Sequence, residues 1–291
     1  GVGIGRADET INPFFSDKFD FFQKFFGEIP NLEKQYLAQN GVYAFPVDAR
    51  LGISGIPQSG TGQTSLFSGF NAAEFLGMHF GPFPYSTLLP EIRRRNIFND
   101  FLNKGRKVCF ANAFPKVFFD YVNSGKQRLS YTTKTALGAG MKLMEFPDLA
   151  EGRALAADIT NYRWLNKLNY DIPVICPDKA ASVLLTIAEE NDFTLYEFFL
   201  TDHLGHGRIK EEFDIICRNL NEFLRSLIAQ NYRGINIIII SDHGNFEDIS
   251  VKGHTLNPSL CITAGTSAKH FSEKIKVLYD LRNSIVEFYG L

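Results

Sequence analysis

The feature that most constrains the fold is an uninterrupted β-branched run, INIIIIS at 235–241. A strand with one solvent-facing side alternates apolar and polar residues, whereas isoleucine fills successive positions here. The run therefore predicts a central strand buried on both faces of a sheet. Asp242 and His243 follow at its carboxyl end, which is where open α/β folds bind their ligands.

Other strand-like runs alternate with helix-like stretches. The strand-like runs lie near 41–47, 107–113, 172–176, 193–200 and 259–263, and the helix-like stretches near 16–26, 178–191 and 207–230. This alternation predicts an α/β fold, here a three-layer α/β/α arrangement with a mostly parallel central sheet. We expect its metal-binding core to comprise residues 1–123 and 172–291.

The stretch 124–171 breaks this rhythm. It contains small residues, several arginines and lysines, and the only tryptophan, Trp164. We interpret it as a small inserted, cap-like region over the carboxyl edge of the sheet. The alternative is an ordinary connection with two short helices. In the cap interpretation, its candidate substrate contacts are Arg128, Lys134, Arg153 and Arg163.

Composition and charge exclude several classes of partner. The chain has 291 residues and a net charge of −2, without long runs of one sign, so neither nucleic acid nor a membrane is expected to bind. No apolar run approaches the ~18 residues of a membrane span. The four cysteines are widely spaced beside apolar runs, which is typical of free, buried thiols in a reducing compartment. We therefore expect a cytoplasmic protein, with a removed signal peptide as the alternative.

Three motifs in the C-terminal half concentrate possible metal ligands. They are TDHLGHG, SDHGN and KGHTLNP, at 201–207, 241–245 and 252–258. The candidate ligands within them are Asp202, His206, Asp242, His243 and His254. A lone histidine beside an apolar run is usually structural, but two Asp/His pairs that each leave a strand end predict a divalent metal centre. Mixed carboxylate and imidazole ligands favour Zn²⁺ or Mn²⁺ over Ca²⁺, which prefers oxygen ligands.

A fourth motif, GIPQSGTGQTSLFSG at 55–69, predicts a small polar loop that enters a helix. The N-terminus of a helix holds phosphate favourably. A hydroxyl bound to a divalent ion ionises more readily, so Ser59 or Thr61 is a candidate nucleophile. The alternative is a plain turn of Gly, Ser and Thr residues.

Together these motifs resemble the alkaline phosphatase superfamily, most closely the branch of cofactor-independent phosphoglycerate mutase and phosphopentomutase. DHLGH, SDHGNFED and KGHTLNP are similar to that branch's three C-terminal metal motifs, in the same order, and QSGTGQTSLFSG is similar to its nucleophile segment. That register selects Ser59 over Thr61. Thr61 and Asn245 are then expected beside a metal ligand or the substrate. The opening GVGIG resembles the segment after the family's first strand, where a metal-binding Asp precedes the first glycine.

The resemblance implies two divalent ions, Zn or Mn. One would be held by Asp202, His206 and His254, and the other by Asp242, His243, Ser59 and the Asp expected before Gly1. It also implies in-line attack by Ser59 and a phosphoserine intermediate. We expect a metal-dependent phosphohydrolase, a phosphatase or phosphodiesterase, acting on a small phosphorylated metabolite. The alternatives are a phosphomutase of the same superfamily and a non-catalytic metal- or metabolite-binding protein.

Overall fold

The computed structural model describes residues 1–126, 128–231 and 234–291. The strands within these ranges are β1 (Leu37–Gln39), β2 (Val42–Val47), β3 (Val108–Phe110), β4 (Phe193–Leu195), β5 (Ile237–Ile240) and β6 (Ser259–Ala264). The α-helices are α1 (Phe21–Phe26), α2 (Ser59–Ser68), α3 (Ala72–Leu76), α4 (Leu89–Arg94), α5 (Ile97–Leu102), α6 (Lys116–Asn123), α7 (Tyr131–Gly138), α8 (Phe146–Ala150), α9 (Tyr162–Asn166), α10 (Pro177–Glu189), α11 (Leu200–Gly205), α12 (Phe213–Ala229), α13 (Ala268–Lys274) and α14 (Asp280–Tyr289). Short 3₁₀ helices lie at Pro13–Phe15, Ser86–Leu88 and Lys210–Glu212. The protein is therefore mixed α/β, as predicted.

Four strands form one sheet in the order β1-β2-β6-β5, and each neighbouring pair in it is antiparallel. β3 and β4 form a separate parallel pair. The prediction of a mostly parallel central sheet is therefore wrong for the described residues. The reason lies in the connection 241–258 between β5 and β6, which contains no helix. Parallel neighbours need a long crossover, usually helical, so this connection returns the chain antiparallel.

Helices cover both faces of the four-stranded sheet. Ile237 and Ile239 pack in one apolar cluster with α10 and α12, whereas Ile238 and Ile240 pack in a second cluster with α2, α13 and α14. Successive isoleucines of this run therefore pack on opposite faces of the sheet, as the sequence predicts. β5 is nevertheless only half-buried. Among the described residues, no strand pairs with its edge opposite β6.

Some sequence-predicted elements are shorter or absent. Residues 172–176 do not form a strand and lead into α10, where Cys176 is the N-cap and Pro177 follows. Proline disfavours a central strand because it lacks an amide hydrogen. The helix predicted at 16–26 is reduced to α1, because Ser16 instead ends the 3₁₀ helix before it. The cysteines are free as predicted, but Cys176 is exposed.

The region 124–171 contributes α7, α8 and α9, and residue 127 within it lies outside the described residues. Tyr131 of α7 is buried in the main body, where its hydroxyl lies 2.7 Å from Ser68 Oγ. Trp164 of α9 packs in a smaller apolar cluster with Leu149 of α8. The division of this region from the core stays a prediction. None of the helices in the described ranges combines the length and apolar character needed to cross a bilayer.

Candidate metal centre

The five predicted ligands come together beyond the ends of β4 and β5. Asp202 lies in the first turn of α11, and His206 ends that helix as its C-cap. Asp242 and His243 follow β5 directly. His254 lies in the loop that leads into β6. The tertiary fold therefore gathers residues that three separate motifs supply.

Asp202, His206 and His254 form a close triangle. The two Nε2 atoms of the histidines are 3.2 Å apart. The carboxylate oxygens of Asp202 lie 3.4 Å from His206 Nε2 and 3.5 Å from His254 Nε2. Two zinc–nitrogen bonds of ~2.0–2.1 Å at a tetrahedral angle place their nitrogens roughly 3.4 Å apart. The observed separations therefore fit three ligands of one four-coordinate ion.

Main-chain carbonyls orient two of these imidazoles. His206 Nδ1 donates to the carbonyl oxygen of Lys252 at 2.6 Å, and His254 Nδ1 donates to that of Pro57 at 2.7 Å. A carbonyl oxygen can only accept, so each Nδ1 carries a proton and each Nε2 presents a lone pair. Metal-binding histidines are commonly oriented in this way.

His243 is fully buried between Ser59 and His254. Its Nε2 lies 2.8 Å from Ser59 Oγ and 3.9 Å from Asp202 Oδ1, and its ring stacks on that of His254 with centroids 3.7 Å apart. Possible ligand atoms of Asp202, His243 and His254 all lie within 4.8 Å of one another. Burial lowers the pKa of His243 to about 4, so its imidazole is neutral near pH 7, the form that binds metal.

Asp242 lies between His243 and the start of the chain. Its Oδ1 is 3.5 Å from His243 Nε2 and 3.6 Å from the Gly1 amino nitrogen. Its Oδ2 accepts a hydrogen bond from Gln63 Nε2 at 3.2 Å. Burial alone raises the pKa of Asp242, but the neighbouring His243 holds it below its ordinary value. The carboxylate is therefore anionic at neutral pH.

A buried oxygen of Asp202 supports a metal ion at this cluster. Oδ1 is buried and has no hydrogen-bond partner within the described ranges. Burial raises the pKa of this carboxyl, but His254, His243 and His206 together lower it well below its usual value. An anionic oxygen without a donor is costly to bury. These residues therefore fit a divalent cation.

Ser59 joins the cluster, whereas Thr61 does not. Ser59 is the first residue of α2 and lies against His243. The hydroxyl of Thr61 donates to the carbonyl oxygen of Gln58 at 3.1 Å and accepts from the amide of Phe80 at 3.3 Å. Thr61 therefore stabilises the start of α2, which positions Ser59.

Asn245 links two loops of the centre. It is fully buried, and its Nδ2 donates to the carbonyl oxygen of Gly253 at 3.3 Å. Gly205 lies so close that a Cβ atom there would overlap Asn245 Oδ1. Asn245 is thus wedged between the residues that precede His206 and His254.

We expect Gly205→Ala to destabilise the protein by about 1–3 kcal/mol, because its Cβ would overlap Asn245. Helix propensity alone predicts a gain of up to ~1 kcal/mol for this change within α11. The free energy of unfolding in urea shows whether the substitution destabilises or stabilises the protein. Gly253→Ala is the matched control, since it also precedes a predicted ligand and a Cβ there meets nothing within 4 Å in the described structure. Equal effects of both variants would contradict the close packing of Gly205 against Asn245.

Glu247 is a buried acid that is not among the predicted site residues. Its Oε2 accepts from the amides of Gly3 and Asn245, both at 2.7 Å. Its Oε1 accepts from the hydroxyl of Thr255 and, at 3.1 Å, from Asn257 Nδ2. It joins the segment after Gly1, the loop after His243 and the loop after His254. An acidic residue in a polar loop does not reveal from sequence that it is a buried acceptor.

Gln63 and Glu197 were also missed. Gln63 Nε2 lies 3.2 Å from Asp242 Oδ2 and 3.4 Å from Glu197 Oε1. Glu197 also accepts from the hydroxyl of Thr132 at 2.7 Å, and burial raises its pKa. The pair supports Asp242 from the side of α2 and β4.

Two candidate substrate contacts are already paired. Arg153 bonds to Asp148, and Arg163 bonds to Glu212 at 3.0 Å. His203, which is not among the predicted ligands, packs against the ring of Phe199. The contacts of these residues do not add to the ligand set.

Comparison with known families bears directly on this cluster. Residues 173–291, which contain all five Asp and His ligands, match the model of a family described as the Metalloenzyme superfamily. The match supports the predicted metalloenzyme character of this segment, and membership of the alkaline phosphatase superfamily stays a prediction. The match covers less than half of the chain and does not include Ser59. The mutase branch stays a prediction.

Similarity to solved structures is more remote. The alkaline phosphatase from the Antarctic bacterium TAB5 is 11% identical, with 99% of this chain and 96% of that chain covered and a TM-score of 0.45. A protein from Pyrococcus horikoshii is 14% identical, with 65% of this chain covered and a TM-score of 0.36. This chain spans 44% of the Pyrococcus protein's length. Neither similarity is high enough to assign an activity, and no curated protein matches this sequence.

Proposed function

We propose that this protein is a metal-dependent phosphohydrolase, a phosphatase or phosphodiesterase, acting through a phosphoserine intermediate on a small phosphorylated metabolite. The observation that carries the proposal is the position of Ser59, whose Oγ lies 2.8 Å from His243 Nε2 at the start of α2. A serine hydroxyl beside a metal-binding cluster is placed to act as a nucleophile. The superfamily match of residues 173–291 supports the metalloenzyme part.

Two divalent ions, Zn or Mn, would bind here. Asp202, His206 and His254 would hold one of them, which fits their separations of 3.2, 3.4 and 3.5 Å. Asp242, His243 and Ser59 would hold the other, and the family resemblance adds an Asp before Gly1. When bound, the ions would supply the positive charge that favours an ionised Ser59 hydroxyl and a charged leaving oxygen.

Residues at the start of α2 would position the phosphoryl group for attack by Ser59. The Ser59 Oγ–phosphorus bond would form as the bond from phosphorus to the leaving oxygen breaks, the hydroxyl proton would pass to water, and the leaving oxygen would take up a proton from water. The amides of Thr61 and Gly62 already donate to the carbonyl oxygens of Phe80 and Gln58. Those of Ser59 and Gly60 have no partner in the described part of the chain, so they can donate to a phosphoryl oxygen. Attack of water on phosphoserine would then release phosphate and restore Ser59.

We expect Ser59→Ala to reduce phosphate release from an aryl phosphate by at least about 1,000-fold, because the nucleophile is lost. The assay uses full-length protein supplied with Zn²⁺ or Mn²⁺. Ser54→Ala is the matched control, since Ser54 is exposed in the nearby loop. Turnover by Ser59→Ala at the rate of the control would contradict the proposed nucleophile.

The same assay separates the alternatives. Isomerisation of a sugar phosphate or glycerate phosphate without net phosphate release would assign a phosphomutase. Bound metal without turnover of any phosphate ester would assign a metal- or metabolite-binding protein. We propose hydrolysis over isomerisation because the region 124–171 is short for a cap that shields an intermediate from water. We also propose a cytoplasmic location, with a small phosphorylated substrate as the partner.

A further inference from the structure

Ser59 and Gln63 lie about one turn apart on α2, and residues four positions apart in a helix point to the same side. A Cβ atom at Gly62 would lie 2.6 Å from the carbonyl oxygen of Asp242, so α2 packs directly on the main chain that follows β5. The side chain of Gln63 therefore reaches the carboxylate of Asp242. One helix thus supplies both the predicted nucleophile and a neighbour of a predicted metal ligand.

The side-chain amide of Gln63 lies between two carboxylates. Its Nε2 is 3.2 Å from Asp242 Oδ2 and 3.4 Å from Glu197 Oε1. An NH₂ group has two hydrogens and carboxylate oxygens accept, so Nε2 donates one hydrogen to each acid. Burial raises the pKa of Glu197, and the negative charge of Asp242 adds to this rise. The amide therefore occupies the space between two acids that would otherwise repel each other.

The two oxygens of Asp242 have different surroundings. Oδ2 accepts from Gln63, whereas Oδ1 lies 3.5 Å from His243 Nε2. This separation is close to the roughly 3.4 Å expected between two ligand atoms of a four-coordinate zinc ion. The hydrogen bond from Gln63 to Oδ2 therefore keeps Oδ1 turned toward the imidazole of His243.

Glu197 is itself held by its main chain and by its side chain. Its amide donates to Asn112 Oδ1 at 2.7 Å, and its carbonyl oxygen accepts from Asn112 Nδ2 at 2.8 Å. Its Oε2 accepts from the hydroxyl of Thr132 at 2.7 Å. Asn112 and Thr132 are both buried. Glu197 is therefore a fixed partner for the amide of Gln63.

These contacts form one path from the region 124–171 to the metal centre. The path runs from Thr132 of α7 through Glu197 and Gln63 to Asp242, with distances of 2.7, 3.4 and 3.2 Å. Hydrogen bonds in such a chain polarise one another, and an unpaired member is costly inside a protein. Loss of one member should therefore be felt at the far end of the path.

We propose that Gln63 is a positioning residue of the second ion site, the one proposed for Asp242, His243 and Ser59. It holds the carboxylate of Asp242 in place, with support from Glu197 and Thr132. Its amide also takes the place between Asp242 and Glu197 that a further cation would otherwise fill. Gln63 acts through Asp242 and does not touch the ion. The proposal rests on the two-ion centre of the proposed function, but on no step of the reaction.

Metal affinities of full-length variants test the proposal without an activity assay. Gln63→Met keeps the approximate size of the side chain and removes its hydrogen bonds. We expect it to weaken binding of the second ion by about 10–100-fold, the usual effect of losing a group that orients a metal ligand. Binding of the first ion, held by Asp202, His206 and His254, should be unchanged. Competition with a chelator gives both Zn²⁺ affinities, and anomalous difference maps assign them to the two sites.

Thr132 and Thr133 provide a matched pair for the same measurement. Both lie in α7 and both are 2% exposed, but only the hydroxyl of Thr132 bonds to Glu197 in the described structure. The hydroxyl of Thr133 lies 2.9 Å from Ser130 Oγ. Thr132→Val should weaken binding of the second ion by about tenfold. Thr133→Val should leave it unchanged, and equal effects of the two variants would overturn the proposal.

Three other results would also overturn the proposal. They are a second-ion affinity in Gln63→Met equal to that of the unsubstituted protein, equal weakening of both ions in Gln63→Met, and an anomalous peak between Asp242 and Glu197 in the unsubstituted protein. If Gln63→Met does not fold, the two threonine variants decide alone. Failure of the proposed function would look different, because it would abolish phosphate release and leave both metal affinities as expected.

Discussion

Replacing Asp202 by asparagine is expected to weaken binding of the first divalent ion by at least about 100-fold. Asp202 is the carboxylate of the triangle with His206 and His254, and its buried Oδ1 lacks a partner in the described residues. An amide keeps the shape but removes the negative charge that a cation requires. Competition with a chelator of known affinity measures the change for Zn²⁺ and Mn²⁺ in full-length protein.

Two controls make this prediction specific. Asp17→Asn removes an acid whose side chain is 90% exposed, so it should leave the metal affinity unchanged. His206→Ala should weaken binding strongly, whereas His203→Ala should not, although both histidines lie at the end of the same helix. Equal effects of the two histidine variants would refute the assignment of His206 as a ligand.

Glu247→Gln should lower the free energy of unfolding by about 3–5 kcal/mol, because hydrogen bonds to a charged acceptor are strong and a buried donor left unpaired is costly. Gly3, Asn245, Thr255 and Asn257 all donate to this carboxylate. Glutamine must turn its own NH₂ group toward one pair of these donors. Urea denaturation with the linear extrapolation gives the loss directly.

Glu9→Gln is the matched control for Glu247→Gln, since Glu9 is exposed. The Glu247 variant should also bind metal less tightly, because the segments it joins carry or adjoin His243 and His254. Unfolding within about 0.5 kcal/mol of the control would show that Glu247 does not hold these segments together.

The sequence was most informative where chemistry follows a strand end. The INIIIIS run predicts the position of Asp242 and His243 at a strand end. In the structure His243 lies beside Ser59 and Asp202, and Asp242 contacts the same imidazole. The convergence of the three motifs was predicted from their resemblance as a set. Strand direction does not explain it, because β4 and β5 belong to separate sheets and β6 runs antiparallel to β5. Their division between two ions stays a prediction, since the geometry also groups His243 with Asp202 and His254.

Strand direction was not predictable in the same way. Whether β6 returns parallel or antiparallel depends on the connection 241–258. The polar residues of this connection are equally typical of a loop and of a metal-binding site. The burial of individual polar residues was also not predictable from the sequence. Glu247 lies fully inside the protein, but single-sequence patterns carry no signal for the four donors that meet it.

The most direct test of the two-metal centre is an anomalous difference map from crystals of full-length protein grown with Zn²⁺. We expect two peaks, one bonded to Asp202, His206 and His254 and the other bonded to Asp242, His243 and Ser59. A map with no peak among these residues would contradict the metal centre. A single peak held by Asp202, His243 and His254 together would contradict its division into two sites.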